Sequence, residues 1–424
     1  MQRDKRTFQV ASSLGRLGYA PTVVEGEPSA LASEQLPFEL VTVSDAESLR
    51  DQGGDSETPV PQSAAAPSAT ERPRSHPLVE AMPRPVSMIL KRIGADVLRL
   101  RLWWNHEYRL ARVLLRSYRR DNELTLEALP NADLYYLTFF WQFPAVWRMC
   151  KRTGARFVYD ANDAYWAWPG YRWYPHVFKL LLRMVERRCV RRADSFVTVS
   201  EGVAGLLERR YGRRPLVVRN LHDMRLDEEC SADVRRASGL ERGTFLLVVA
   251  GNEKPSDAVT EALQALARLP DRVHLTLMGS GYEKHAGEVE RLGLTGRVHL
   301  LAPVAPTEVT SAIATADVAF VNTRAGDVHL HALPTRFFSA VAAGLPILYP
   351  PLPEVRALAE EHGLGLQVDA EDPDSIVAAV LALSESPELL DQYKANVERA
   401  RQVLSWEHEE ARLAEMVRSA IQNG

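Results

Sequence analysis

At 424 residues the chain exceeds one ordinary domain and fits two of roughly 200 residues each. Hydrophobic residues at 46%, charged residues at 25% and a net charge of -4 describe an ordinary globular protein with no overall bias toward nucleic acid. No run of 18 apolar residues exists to span a membrane, and no apolar signal sequence follows the charged start. Cys150, Cys189 and Cys230 are too few and too scattered for a disulfide framework, which fits a cytoplasmic protein, with the inner membrane face as a further possibility.

In chain order, a helical pattern carrying Val10, Leu14 and Leu17 stops at Gly18, and strands are expected at 21–24 and 38–43. A doubly wound domain normally opens on a strand and a glycine-rich turn. This one opens on the helix, so its N-terminal domain reads as lacking its first strand. A start assigned too far downstream would explain the same pattern. The stretch 44–85, rich in Ser, Ala, Pro, Gly and Glu, reads as a disordered insertion. Between Arg84 and Arg120 ten Lys/Arg stand against two acids, Asp96 and Glu107.

Regular alternation follows. Strands are expected at 133–139, 157–159, 195–199 and 215–218, with helices at 143–152, 174–192 and 201–211 between and after them. The second half repeats the scheme, with strands at 245–250, 273–278, 298–301 and 318–321 and helices at 256–268, 283–292 and 306–314. Further helices are expected at 354–362, 373–384 and 406–421. Short apolar strands alternating with helices make parallel sheets covered on both faces. The fold class is therefore α/β, with two doubly wound Rossmann-like domains facing across a cleft. The N-terminal domain spans 1–225, the C-terminal domain 240–404, and a terminal helix lies in 405–424. Ligands in such sheets sit at the carboxyl ends of the strands.

The segment 333–348 carries the most chemistry. It reads as a helix opening after Pro334, stopping at Gly344, and handing over to a buried strand from Leu345. The first turn aims backbone N–H groups and the Arg336 guanidinium at one place, an anion site suited to phosphate. A plain helix-to-strand junction is the alternative.

Several strings in their order resemble GT-B-fold retaining glycosyltransferases of the large group called family 4. They are Asp4-Lys-Arg with Gly18-Tyr19, Phe157-Val-Tyr-Asp-Ala-Asn-Asp, Ala193-Asp-Ser-Phe-Val-Thr-Val-Ser-Glu and Val217-Val-Arg-Asn-Leu-His-Asp. In the second half come Leu277-Met-Gly-Ser-Gly, Leu292-Gly-Leu-Thr-Gly-Arg-Val-His-Leu, Ala316-Asp-Val-Ala-Phe, the 333–348 segment and Ser405-Trp406. The resemblance covers about 3–28 and 131–420. It implies that the terminal helix, 405–424, crosses back to the N-terminal domain, and it implies sugar transfer from a nucleotide-diphosphate donor to an acceptor hydroxyl, without metal or cofactor.

What it implies residue by residue is less uniform. Lys254 and Arg336 are expected to stabilise the leaving diphosphate, Asn252 standing where the family has an Arg; an ordinary solvated lysine is the alternative at 254. Gly251, Gly279 and Gly281 shape turns near the nucleotide, or serve conformation alone. Pro334 and Thr335 open the anion-binding helix. Ser339 stands where the family uses a ribose-binding Glu, and His331 where its partner Glu falls. Asn162 replaces a His that contacts the donor sugar, and it cannot exchange a proton near neutrality. Asp163 is a polar contact or a helix N-cap. His331 with His329 and Asp327 contacts sugar hydroxyls or forms a simple loop; a metal reading lacks a third ligand.

The partners expected are a nucleotide-sugar and a glycan, lipid-linked or small-molecule acceptor, with no nucleic acid. The basic stretches 84–120 and 179–192 fit peripheral contact with an anionic membrane, or a solvated helix face. Trp103, Trp104, Trp166, Trp168 and Trp173 read as core or acceptor-cleft lining. Three altered positions keep a rival open, a degenerate, non-catalytic member that binds a partner. A nucleotide-sugar epimerase lacks a convincing acid/base set.

Overall fold

A computed structural model describes residues 5–25, 38–42, 104–167, 169–231, 233–241, 243–326, 330–331 and 333–422. The expected insertion at 44–85, and Asp4, Trp103, Trp168, Asp327 and His329, lie outside the described residues.

Helix α1, Lys5–Arg16, comes first, and β1, Thr22–Glu25, pairs in parallel with β2, Glu39–Thr42. A π-helical turn, Asn105–Leu110, runs into α2, Ala111–Ala128. Then follow β3 (Leu134–Leu137), α3 (Phe143–Thr153), β4 (Arg156–Ala161), α4 (His176–Arg192), β5 (Ser195–Thr198), α5 (Glu201–Tyr211) and β6 (Leu216–Val217). The last four strands form a parallel sheet in the order β3-β4-β5-β6, and β1-β2 stand as a separate pair. Local chemistry sets the ends. Pro144 sits in the first turn of α3, where no N–H is needed, and Gly154 closes that helix at φ 78°. Ser200 caps α5 by accepting from the Val203 N–H.

The second domain runs α6 (Val234–Ala237), β7 (Phe245–Ala250), α7 (Val259–Leu266), β8 (Val273–Met278), α8 (Ala286–Arg291), β9 (Val298–Leu301), α9 (Val309–Ile313) and β10 (Val318–Phe320). It continues with α10 (Thr335–Ala342), β11 (Ile347–Tyr349), α11 (Pro353–His362), β12 (Gly365–Gln367), α12 (Pro373–Ser384) and α13 (Pro387–Val403). Its six parallel strands lie in the order β12-β11-β10-β7-β8-β9. Strand β7 shows why its sequence is apolar throughout. Leu246, Val248 and Ala250 enter one core, and Phe245, Leu247 and Val249 enter the core on the opposite face. Each such large side chain stabilises the fold by about 1.5–3 kcal/mol. Between β7 and β10 the strand order reverses, which opens a crevice at their carboxyl ends.

The last helix, α14 (Trp406–Gln422), leaves the second domain and packs on the first. Trp406, Leu413 and Val417 join Val10, Val158 and Val197 in one core, and the Trp406 indole donates to Ser13 Oγ at 2.7 Å. Glu410 accepts from Arg16 and Arg225, each at 2.7 Å. Burial raises its pKa, but hydrogen bonds from Arg225, Ser13 and Arg16 outweigh that and leave it at about 2. At the cleft end of β4, buried Arg6 grips buried Asp160 at 2.6 and 3.1 Å, and Tyr136 donates to the same carboxylate at 2.7 Å. That pair fixes α1 across the sheet.

Some local expectations need correcting. The helix expected at 283–292 begins as a 3-10 turn, Tyr282–His285, before α8. The helix expected from 256 starts at Val259, because Asp257 is held in an antiparallel bridge to Thr323. The strand expected from Leu345 starts at Ile347. Helix α13 and strand β12 escaped the sequence reading altogether. Trp104 and Trp173 are not core residues, being 55% and 56% exposed. Among the described residues no helix is long and apolar enough to cross a membrane.

Candidate active site

Two glycine-shaped loops close the carboxyl ends of β7 and β8. Gly251 has φ 107° and Gly279 φ 147°. A Cβ on Gly279 would lie 2.5 Å from the Gly251 carbonyl oxygen, so the two backbones touch and only glycine fits. Asn252 Oδ1 accepts from the Ser280 N–H at 3.0 Å, Glu253 N–H donates to the Ser280 carbonyl at 3.0 Å, and Tyr282 hydroxyl donates to the Gly251 carbonyl at 2.9 Å. Gly281, at φ 95°, leaves room for the Glu253 side chain. Glu253 itself accepts from Lys284 and His285, at 3.0 and 2.9 Å. The result is a rigid floor beside the crevice.

Helix α10 points into the same crevice. Its N-cap is Pro334, with no side-chain cap, so the first-turn N–H groups of Thr335 and Arg336 retain the partial positive charge of the helix end. Arg336 does not project alone. It donates to Asp257 Oδ2 at 2.9 Å and to Asn322 Oδ1 at 2.5 Å, with a longer contact to the Asn252 carbonyl at 3.4 Å. Asp257 also accepts from the Lys254 N–H at 3.0 Å. The other Asp257 oxygen and the Asn322 amide nitrogen are buried without a protein partner. A guanidinium anchored on one side by a buried carboxylate is preorganised for an anion on the other.

Lys254 lies in the same cluster. Its pKa is lowered, first by burial and then by Arg336, while Asp257 and Asp163 oppose the shift. Asp163 belongs to the other domain, so its charge reaches this lysine across the cleft. Asp163 Oδ1 accepts from the next N–H, that of Ala164, at 2.8 Å. Beside it, Asn162 Oδ1 is buried and has no protein partner. Burial drives the Tyr282 hydroxyl up to about 12, against the opposing pull of Arg336.

The remaining sequence candidates fall at two places. Ser339 is buried and donates its hydroxyl to the Thr335 carbonyl at 3.2 Å, inside its own helix. His331 stands at a second contact between the domains. Its carbonyl accepts from Ser200 Oγ at 3.0 Å, and Glu354 Oε1 accepts from the Gly202 N–H at 2.6 Å. Any Cβ on Gly202 would fall 2.4 Å from the His331 ring and 2.5 Å from that carboxylate. Sequence reading missed Asp257, Asn322, Tyr282, Gly202 and Glu354. Each acts through a contact distant in sequence, and none sits in a string with a local signature. Among the described residues no group of three or more His, Cys, Asp or Glu is gathered to hold a metal.

Residues 244–386 match the sequence profile of the family described as Glycosyl transferases group 1, which bears out the resemblance over the second domain. No curated protein matches the chain in sequence. Among solved structures, HepE of Anabaena in complex with UDP and glucose is 15% identical with TM-score 0.63, covering 97% of this chain and 95% of that one. A glycosyltransferase from Rickettsia africae is 10% identical with TM-score 0.61, covering 99% and 95%. Sucrose-phosphate synthase from Thermosynechococcus elongatus is 15% identical with TM-score 0.58, covering 71% and 78%. These likenesses establish the GT-B fold, two Rossmann-like domains in one chain.

Proposed function

We propose that the protein is a retaining glycosyltransferase that moves a sugar from a nucleotide-diphosphate donor to an acceptor hydroxyl. One observation carries the reading. Lys254, Arg336 and the uncapped start of α10 converge at the strand-order reversal, opposite Asn162 and Asp163 of the other domain. A leaving diphosphate there meets two cations and a helix N-terminus, which favours charge as it develops on the bridging oxygen. The bond from the anomeric carbon to the phosphate oxygen breaks, and the bond to the acceptor oxygen forms on the same face. The acceptor proton passes to the departing phosphate, so the reaction needs no protein base and no metal. Asn162 and Asp163 orient the sugar, and the Gly251 and Gly279 loops seat the nucleotide. Ser339, His331, Pro334 and Thr335 complete the donor wall. HepE binds UDP and glucose, so uridine diphosphate sugars are the first donors to try.

A second reading, a non-catalytic binding protein, is favoured by two features. Asp257 already neutralises Arg336, and the Ser339 hydroxyl already has a partner in its helix. Incubation with UDP-, GDP- and ADP-sugars, with free nucleoside diphosphate as readout, separates the two. Slow donor hydrolysis by the wild-type chain, lost in Lys254→Met, supports transfer. No release from any donor, by a chain that still binds the nucleotide, supports the binding protein.

A further inference from the structure

Seven large hydrophobic side chains stand exposed on just two adjoining segments of the first domain. Trp104, Tyr108 and Val113 lie along the π-helical turn and α2, and Trp173, Val177, Leu180 and Met184 lie on and just before α4; each is between 46% and 60% exposed. Positions 177, 180 and 184 share one face of a helix, as do 104 and 108. The two segments are tied at their starts. Glu107 accepts from the His176 backbone N–H at 2.7 Å and bonds its ring at 2.8 Å. Trp104 and Tyr108 stack at 5.0 Å between centroids, and Arg112 lies over Tyr108 at 5.5 Å.

Charge on this surface is predominantly positive, and the exposed acids Glu123 and Glu127 lie toward the far end of α2. All five arginines of 105–120 and all five of α4 are exposed. The carboxylates within those spans are Glu107, engaged by His176, and Glu186, buried. Ten exposed arginines in 105–120 and α4, interleaved with aromatic and aliphatic tips, complement an anionic lipid interface: the charges meet headgroups while the tips enter the acyl boundary. A phosphate backbone of nucleic acid would use the arginines but leave Val113, Val177, Leu180 and Met184 unmatched.

The patch also has a place. Strand β4 ends at Ala161, Asn162 and Asp163 follow, and the chain reaches Trp173 through two 3-10 turns, Tyr165–Ala167 and Pro169–Trp173. Helices α2 and α4 start at the cleft end of the sheet, where β4 hands over to the candidate site. We propose that this face docks on an anionic phospholipid bilayer and holds the cleft rim against it. The acceptor class is then a membrane-anchored saccharide or lipid, a consequence that rests on the transferase reading, whereas the docking does not.

The test is flotation of the full chain with phosphatidylcholine vesicles, with and without phosphatidylglycerol. Vesicles containing phosphatidylglycerol carry the protein upward, and pure phosphatidylcholine vesicles do so roughly tenfold less. Salt at about 1 M, where the screening length is about 3 Å, removes most of the binding. The triple variant Trp104→Ser, Trp173→Ser, Leu180→Ser loses flotation while keeping the wild-type melting shift with nucleotide. Absence of flotation with phosphatidylglycerol vesicles overturns the proposal, as does unchanged flotation of the triple variant. Retention on duplex DNA with no vesicle binding also overturns it, in favour of a nucleic-acid face. None of these outcomes involves turnover, so a protein that floats but transfers no sugar leaves the docking intact.

Discussion

Replacing Glu186 with Gln should flatten the pH dependence of the first domain's stability. Glu186 is 3% exposed, and its oxygens accept from the Tyr159 hydroxyl at 3.1 Å and from the Tyr211 hydroxyl. Burial raises its pKa from 4.5 to about 7, although Tyr211, Tyr159 and Arg210 pull the other way. Between those values the folded chain holds a proton that the unfolded chain has released. The stabilisation is complete below the unfolded value and is lost as pH rises through the folded one. Taken across that gap it amounts to about 3 kcal/mol, an upper figure for a group with two hydroxyl partners. Seven of the eight tryptophans precede residue 174, so intrinsic fluorescence reports mainly on the first domain. Urea unfolding followed by fluorescence should show the wild type weaker at pH 8 than at pH 5 by this order, and Glu186→Gln nearly level. An equal slope in both proteins would show that the carboxyl is ionised in the fold and refute the argument.

Three further outcomes follow from the cleft. Gly279→Ala places a methyl group against the Gly251 carbonyl at a positive φ, at about 2–4 kcal/mol, read as a lower thermal midpoint of the second domain. Gly202→Ala displaces Glu354 and His331 from the start of α5 and removes a charged hydrogen bond of about 1.5–3 kcal/mol. X-ray scattering should then show a larger radius of gyration, and an unchanged one would make the contact dispensable. Because the Lys254 pKa is lowered, nucleotide affinity should weaken with rising pH before the ordinary lysine range is reached; calorimetry on Lys254→Met should show that dependence gone.

The fold was legible wherever one element carried its own pattern. Strands β7, β8 and β9 were bounded correctly because each is a short apolar run between turn residues, and α12 because Asp372 and Pro373 announce its start. Helix α13 was missed although Leu389, Leu390, Tyr393, Val397 and Ala400 give it a face. It begins at Pro387, two residues after the C-cap of α12, and only Glu385 and Ser386 separate the pair, so the stretch lacks a loop long enough to mark two helices. In the cleft, Arg336 stood out because a Pro-Thr-Arg string opens a helix. Its anchors did not. Asp257 resembled a helix start and Asn322 a strand end, and only the fold brings residues 79 and 14 positions away to one guanidinium. The exposure of Trp104 and Trp173 is hidden in the sequence for the same reason, since an aromatic residue is apolar by composition and exposed only by placement.

The donor site is tested most directly by calorimetric titration of the wild type and Arg336→Ala with UDP, GDP and ADP. The account predicts one-site binding of one nucleotide by the wild type. In Arg336→Ala that binding should weaken roughly tenfold to a hundredfold, the order expected for a lost charged hydrogen-bond pair. Binding of equal strength in both proteins would contradict it, as would no binding of any of the three by a folded wild-type chain.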